Sequence, residues 1–201
     1  MPSVAMKMRL KMRKEIRTSA TVLCLSFLLF GLAATAAGKM DSEHILSGKL
    51  SKTTALHIHP FGTSQADLGN PKFRDTAITM AKSAPHLLAT DIVETLRNSG
   101  FTSVTLDESE TMAPKDALKV TGRFTRLDPG SQGLRVWIGF GAGESKVCIS
   151  GEVSDSSGNK LADFADCRNG LGWGSSGPQV DKGADILGER IAGFLIAWAD
   201  D

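Results

Sequence analysis

Four segments in the second half of the chain alternate apolar and polar residues, and this period of two limits the folds that the chain can adopt. The segments cover residues 117–125, 133–140, 146–153 and 161–167. Successive side chains of a β-strand point to opposite faces of the sheet, so each segment is predicted to be a strand with one buried face. Residues typical of turns separate the segments, which favours strands connected as hairpins.

Two further segments are predicted to be helices, because their apolar residues recur at helical spacing. In the segment 85–99, Ser83 is a candidate N-cap and Pro85 suits the first turn, while Gly100 suits the C-terminal end. Residues 181–199 form the last predicted helix and carry a similar apolar stripe.

Shorter patterns complete the predicted order of elements. Residues 55–61 and 101–106 are expected to be strands, and residues 72–82 a short helical segment. The sequence therefore predicts an α+β fold, a mostly antiparallel sheet of about five to six strands with two main helices packed on one face. This single domain is expected to span residues 55–199, after a flexible leader over the polar residues 38–54.

The first 37 residues have the layout of a secretory signal peptide. Six basic residues and one acidic residue lead into an apolar run, which ends in the small residues 33–37. This run of about 14 residues is shorter than the ~20 that a transmembrane helix needs. We therefore expect cleavage after Ala36 or Ala37, with a retained N-terminal anchor as the alternative. The initiating residue is left open among Met1, Met6, Met8 and Met12.

The signal predicts a periplasmic or secreted protein, and peripheral attachment to an outer membrane is compatible with it. A lipoprotein signal needs a cysteine at the cleavage point, whereas Cys24 lies inside the apolar run. We therefore do not expect a lipoprotein, and we expect no transmembrane span after the signal is removed.

Charge argues against nucleic acid as a partner. The whole chain has a net charge of +1, but the residues from Gly38 onward hold 17 basic and 21 acidic side chains, a net charge of −4. Such a domain has no general attraction for the phosphates of nucleic acid or of an anionic membrane.

Cys148 and Cys167 lie at equal distances from Ser157-Gly158, a pair of residues typical of a hairpin turn. With that turn the two cysteines face each other directly, at a separation that a disulfide bridges when the pair is not hydrogen-bonded. The same register places Gly151 opposite Phe164 and Val153 opposite Ala162, but it also places Glu152 opposite Asp163. We expect the disulfide, with two buried free thiols as the alternative.

A glycine-rich stretch, Gly139, Gly141 and Gly143, precedes Lys146 and raises the question of a phosphate-binding loop. Phosphate loops open a helix, whose N-terminal amides face the anion. The residues after these glycines alternate with a period of two, which predicts a strand instead. We interpret the glycines as a corner between two strands, and a loop that binds an unidentified ligand stays open as the alternative.

Two groups of residues are candidates for binding. Arg123 and Arg135 are expected on the wetter face of the sheet together with Trp137, and arginine with tryptophan is a composition typical of recognition surfaces. Trp173 lies among four glycines, where it either pins the loop by burial or forms the tip of a mobile lid.

Histidines and acids are the remaining candidates for chemistry. His57 and His59 share one face of a predicted strand and are weak candidates for a metal site, but we expect this to be a solvated face of the sheet. Asp107, Glu108 and Glu110 are expected to form a solvated acidic loop. No spacing predicts a metal site, and we expect neither a metal nor a cofactor.

The residues around the glycine corner resemble a bacterial family known as domain of unknown function 4410. The residues that carry the resemblance are Gly130-Ser131, Leu134-Arg135, the run from Gly139 to Gly143, and Ser145-Lys146. Gln132 departs from a basic residue that the family often has there. The resemblance covers roughly residues 55–198 and implies exported or envelope-associated proteins of unestablished activity, many of which carry the lipoprotein signal that this chain lacks.

The function expected from these observations is that of a non-catalytic exported protein that binds an envelope protein or a cell-wall component. The element order is also similar to that of envelope lipoproteins that activate cell-wall synthases and of the N-terminal domain of the TolB translocation protein. This analogy of fold permits a subunit of an oligomeric, pore-like envelope assembly as the alternative. A hydrolase that uses His57 or His59 with the acidic loop is the third hypothesis.

Overall fold

A six-stranded sheet and two long helices form the domain. The computed structural model describes residues 38–108, 116–130, 145–169 and 179–201, with side chains of the last helix described from residue 186. The strands are β1 (Ser42–Ile45), β2 (Leu56–Ile58), β3 (Val104–Leu106), β4 (Leu118–Asp128), β5 (Lys146–Ser154) and β6 (Lys160–Asn169). The helices are α1 (Arg74–Asn98) and α2 (Gln179–Asp200), and a 3-10 turn, Pro71–Phe73, precedes α1. The fold is α+β, as the sequence predicted.

The sheet is mixed, so the expectation of a mostly antiparallel sheet was wrong. Its strand order is β1-β6-β5-β4-β2-β3. The pairs β1–β6, β6–β5 and β5–β4 are antiparallel, whereas β2 is parallel to both β4 and β3. Helix α1 lies between β2 and β3 in the chain, and a helical crossover returns the chain in the same direction. The crossover explains the parallel half of the sheet.

The β5–β6 hairpin confirms the predicted register and disulfide. Cys148 pairs with Cys167, and their sulfur atoms form a disulfide. Their Cα atoms are 4.1 Å apart, close to the ~4.5 Å of pairs without mutual hydrogen bonds. The register shifts between Val153 and Ser154, where the chain enters the turn.

Two opposed glycines make room for aromatic rings in the core. Gly122 on β4 pairs with Gly151 on β5. A Cβ atom at Gly122 would overlap the ring of Phe61, and one at Gly151 would overlap the ring of Phe164. These two rings stack with centroids 6.2 Å apart. The glycines therefore serve packing, since the rings occupy the space that their side chains would fill.

One buried hydrophobic cluster joins the sheet to both helices. Phe164 of β6 lies 6.0 Å from Phe194 of α2, measured between ring centroids, and Phe194 stacks on Trp198 at 6.3 Å. Helix α1 contributes Leu88, Ile92 and Leu96, none of which is exposed, in agreement with the predicted apolar stripe.

Helix α1 is longer than predicted, because the segments 72–82 and 85–99 form one helix. It begins at Arg74 and contains Pro85 in its interior, where the sequence predicted a helix start. Proline removes one main-chain hydrogen bond and usually breaks a helix. Here Ala77, Met80 and Ala84 are buried before the proline. Burial of this first half compensates for the lost hydrogen bond.

Four residues of the expected leader over residues 38–54 belong to the sheet. Ser42–Ile45 pairs with β6, and Met40 and Leu50 are buried in the hydrophobic cluster. The strand is only four residues long, and its apolar pair Ile45-Leu46 is exposed. The pattern in the sequence was therefore too short and too polar to reveal a strand.

Candidate functional site

The face of the sheet opposite the glycine pair carries polar side chains around a shallow depression. Strands β4, β5, β6 and β1 contribute, in that order, Thr121 and Arg123, Ser150 and Glu152, Asp163, and Ser42. Adjacent positions along one row of the sheet hold the small residues Ser42, Ala165 and Ser150. These small side chains form the floor of the depression, and charged side chains surround it. We call this surface the open-face depression.

A pair of acids forms one side of the open-face depression. Glu152 and Asp163 face each other across β5 and β6. Lys160 Nζ lies 3.8 Å from Glu152 Oε2 and 3.4 Å from Asp163 Oδ2, which offsets the repulsion that the sequence predicted for this pair. His44 Nδ1 lies 3.0 Å from Asp163 Oδ1. The His44 hydrogen bond, with a smaller contribution from Lys160, lowers the pKa of Asp163.

Arg123 supplies the positive charge on the other side. It faces Ser150 across the strand pair and is exposed, as the alternation predicted. Its Nη1 donates a hydrogen bond to Gln65 Oε1 at 3.4 Å, a long contact to a neutral group. A guanidinium held this loosely keeps most of its five donors available to a ligand.

The disulfide borders the open-face depression. Cys148 and Cys167 lie two residues from Ser150 and Ala165 along the same strands, and thus on the same face. The main-chain N–H of Cys167 donates to Asp41 Oδ2 at 2.9 Å. The covalent bond therefore fixes the spacing of the two strands that carry the floor.

A second group of polar residues lies at the carboxyl ends of the parallel strands. Asp107 Oδ2 is 3.2 Å from His57 Nδ1 and 3.9 Å from His59 Nε2. The three side chains are only 14–16% exposed. Burial lowers the pKa of His59, an effect that nearby Asp107 opposes and Lys119 reinforces. The expectation of a solvated face for the histidines was wrong, because both side chains are largely buried beside Asp107.

The acidic residues of the sequence do not act as one group. Asp107 is partly buried beside the histidines, whereas Glu108 is exposed and lies 3.1 Å from His86 Nδ1. Glu110 lies outside the described residues. Within the described parts of the chain, no three histidine, cysteine or acidic side chains are grouped so that they could hold a metal ion.

A buried ionic cluster, not predicted from the sequence, lies on the core side of β6. Asp166 is 1% exposed and accepts hydrogen bonds from Arg168 Nη2 at 2.6 and 2.7 Å and from Arg190 Nη1 at 3.3 Å. Burial raises the pKa of Asp166, against the attraction of Arg168. Arg190 also donates to the carbonyl oxygens of Gly38 and Lys39. The alternation of the sequence already indicated this cluster, since Asp166 occupies a core-facing position two residues after Phe164.

Of the seven predicted binding residues, the structure describes Arg123. Those that lie outside the described residues are Arg135, Trp137, Gly139, Gly141, Gly143 and Trp173. The predicted strand 133–140 and the interpretation of the glycines as a corner lie there too. Among the residues described, no helix is both long enough and apolar enough to cross a membrane.

Comparisons with known proteins identify a family and a fold. A family model described as "Domain of unknown function (DUF4410)" matches residues 61–174, more than half of the chain. The PelC dodecamer from Paraburkholderia phytofirmans is similar in structure, with a TM-score of 0.50 and 17% sequence identity over 77% of this chain and 96% of that one. A variant of the same dodecamer gives a TM-score of 0.50 and 18% identity over 77% and 98%. No curated protein matches the chain in sequence. At this identity the likeness extends to the fold alone.

Proposed function

The chain belongs to the DUF4410 family, and we propose that it is an exported, non-catalytic protein of the cell envelope. In this proposal residues 1–37 are a cleaved signal, and residues 38–201 form one domain in which both helices cover the same face of the sheet. The opposite face is then left for a partner, either an envelope protein or a cell-wall component.

The open-face depression is the observation that carries the binding role. It offers an exposed guanidinium from Arg123 on one side and the carboxylates of Glu152 and Asp163 on the other. Hydroxyl groups of Thr121 and Ser150 lie between them. Both signs of charge and neutral donors within one concave surface suit a polar partner, such as a peptide segment or a cell-wall fragment. We extend the proposed surface to Arg135 and Trp137, with the glycines 139, 141 and 143 and Trp173 as its flanking loops.

A site-directed crosslinking experiment tests this role. A photoreactive amino acid replaces Thr121 in the depression or, as the control, Ile78 on helix α1, which is 39% exposed. We expect a defined adduct from Thr121 in the intact envelope, which Arg123→Glu abolishes and Arg74→Glu on α1 leaves unchanged. Equal crosslinking from both positions, or an adduct that tolerates Arg123→Glu, would exclude the depression as the binding surface.

A second candidate function is that of a subunit in an assembly of identical chains. The observation that favours it is the likeness to PelC, which was solved as a dodecamer and of which 96–98% aligns with this chain. Native mass spectrometry of the envelope-extracted protein tests it, since a closed assembly gives one mass that is a multiple of the chain. A single-chain mass across all concentrations would reject the assembly and leave the binding role standing.

A further inference from the structure

The two outer strands of the sheet differ in how their free edges are protected. At one edge β3 is three residues long, and Arg97 Nη2 of helix α1 donates to the carbonyl oxygen of Val104 at 2.6 Å. A side chain bonded to the outer main-chain group of a short strand discourages another strand from pairing there. The β3 edge is thus partly occupied from within the domain.

The β1 edge, also formed by a short strand, has no such side-chain contact in the described part of the chain. The N–H of Leu46 donates to the carbonyl oxygen of Leu161 at 2.8 Å, so the main-chain N–H of Leu46 points toward β6. Antiparallel pairing alternates the direction of the main-chain groups, and the N–H and C=O of Glu43 and Ile45 therefore point away from β6. No described strand lies on that side of β1. The edge presents two residues with main-chain groups ready to pair.

Apolar side chains accompany this edge. Ile45 is 45% exposed and Leu46 is 57% exposed, the highest values among the large hydrophobic residues described. Because they are neighbours on an extended segment, their side chains point to opposite faces of the sheet. A strand docked at β1 would bury apolar surface on both of its faces. Hydrogen bonding and hydrophobic burial would thus favour the same contact.

We propose that β1 pairs in antiparallel fashion with β1 of a second copy of this chain, centred on Ile45. In this register the outward N–H and C=O of Ile45 match the same groups of the other copy, so the strand is its own complement. Each Ile45 faces Ile45, and each Leu46 faces His44. Glu43 comes opposite Ser47, so no like charges oppose one another across the pairing. Because the N–H of Ser47 already donates to Leu161 at 3.1 Å, the main-chain bonds of the pairing form at Ile45. A partner other than a second copy would need its own matching strand.

The pairing rests on the second candidate function, in which the chain assembles with itself, and it names one contact of that assembly. A two-fold contact closes upon itself, so this edge alone produces a dimer. A larger assembly needs a second contact and then contains an even number of chains. Loss of the β1 contact divides such an assembly into smaller species.

The substitution Ile45→Lys tests the pairing, because it brings two ammonium groups together at the centre of the contact. Ile78→Lys is the matched control, since the exposed fraction of Ile78, 39%, is similar to that of Ile45, but Ile78 lies on helix α1. We expect Ile45→Lys to weaken association at least about tenfold in sedimentation equilibrium, or to divide a larger assembly into smaller species. We expect Ile78→Lys to associate like the wild-type chain. Circular dichroism verifies that both variants remain folded.

Amide hydrogen exchange adds a readout at the contact itself. In the assembled wild-type chain the N–H of Ile45 is expected to exchange slowly, and in Ile45→Lys the amide at this position exchanges rapidly. An assembly that persists unchanged in Ile45→Lys overturns the β1 pairing but not the assembly. A wild-type chain that stays monomeric up to about 100 µM overturns both. Slow exchange at residue 45 in a monomer, caused by another segment or another protein, also overturns the pairing.

Discussion

Asp163 and Asp166 lie three residues apart on the same strand, but they belong to different environments. Asp163 is on the open face, where His44 and Lys160 lower its pKa. Asp166 is on the core face, where burial raises its pKa although two arginines contact it. The two faces of the sheet differ in the same way. The core face stabilises the domain by packing, whereas the open face holds charges whose loss costs little stability.

The largest difference in the free energy of unfolding is expected between a substitution of Phe164 and one of its neighbour Asp163. Phe164→Ala removes a ring that contacts Phe61 and Phe194 and is only 2% exposed, so it should lower the free energy of unfolding by about 3–5 kcal/mol. Asp163→Ala, on the open face, should cost less than about 1 kcal/mol. Urea unfolding measures both. Similar costs for the two variants would mean that the open face contributes more to stability than its ion pairs account for.

Among the described features of the open face, the disulfide is the one expected to stabilise strongly. The double variant Cys148→Ser, Cys167→Ser removes a bond between residues 19 apart and should lower the free energy of unfolding by about 3 kcal/mol. Thermal unfolding of the wild-type chain with reductant should give the same midpoint as the variant without it. A wild-type midpoint that does not respond to reductant would show that the bond adds nothing.

A smaller difference in the free energy of unfolding is expected between substitutions of Gly151 and Ser150, which are neighbours on β5 and lie on opposite faces of the sheet. A Cβ atom at Gly151 would overlap the Phe164 ring and lie 2.8 Å from the carbonyl oxygen of Thr121. Gly151→Val should therefore lower the free energy of unfolding by about 1–3 kcal/mol, while Ser150→Val stays within about 0.5 kcal/mol. Calorimetry compares them. A neutral Gly151→Val would show that Phe164 adjusts and that the glycine is not required.

The smallest effect is a difference in pH dependence between the two aspartates. The native pKa of Asp163 is lowered, so its stabilising contribution is present above its unfolded pKa and is lost as pH falls through the native pKa. The native pKa of Asp166 is raised, so its contribution is present at acid pH, below its unfolded pKa, and is lost as pH rises through the native pKa.

Stability measured from about pH 3 to 6 tests the opposite signs. The stability of the wild-type chain minus that of Asp163→Asn should rise with pH, whereas the same difference for Asp166→Asn should fall. Two slopes of the same sign would mean that the arginines around Asp166 outweigh its burial.

The sequence allowed the antiparallel half of the domain to be predicted better than the parallel half. Strands β4, β5 and β6 are nine to eleven residues long, so their alternation is unambiguous, and two cysteines around one turn determined the register. Strands β2 and β3 have three residues each. Strands this short do not show whether they pair in parallel or antiparallel fashion. Their pairing depends on where α1 places the returning chain.

The candidate sites were also predictable only where long strands carry them. Alternation along β4 was sufficient to place Arg123 on the open face. The contact between His57 and Asp107 joins residues 50 positions apart through the pairing of two short strands, which no local pattern reveals. Asp166 was visible as a charged residue at a core position, but its partner Arg190 comes from a different element.

The disulfide has a mechanical consequence for the domain when it is under tension. It joins the two hairpin strands at the end remote from the turn, and 19 positions separate the two cysteines. Tension applied at the ends of the chain is transmitted through the sulfur bridge, so the turn and most of both strands carry no load. About 60 Å of extended chain thus stays out of reach of the pulling force. Even a domain unravelled by stretching would keep this loop closed.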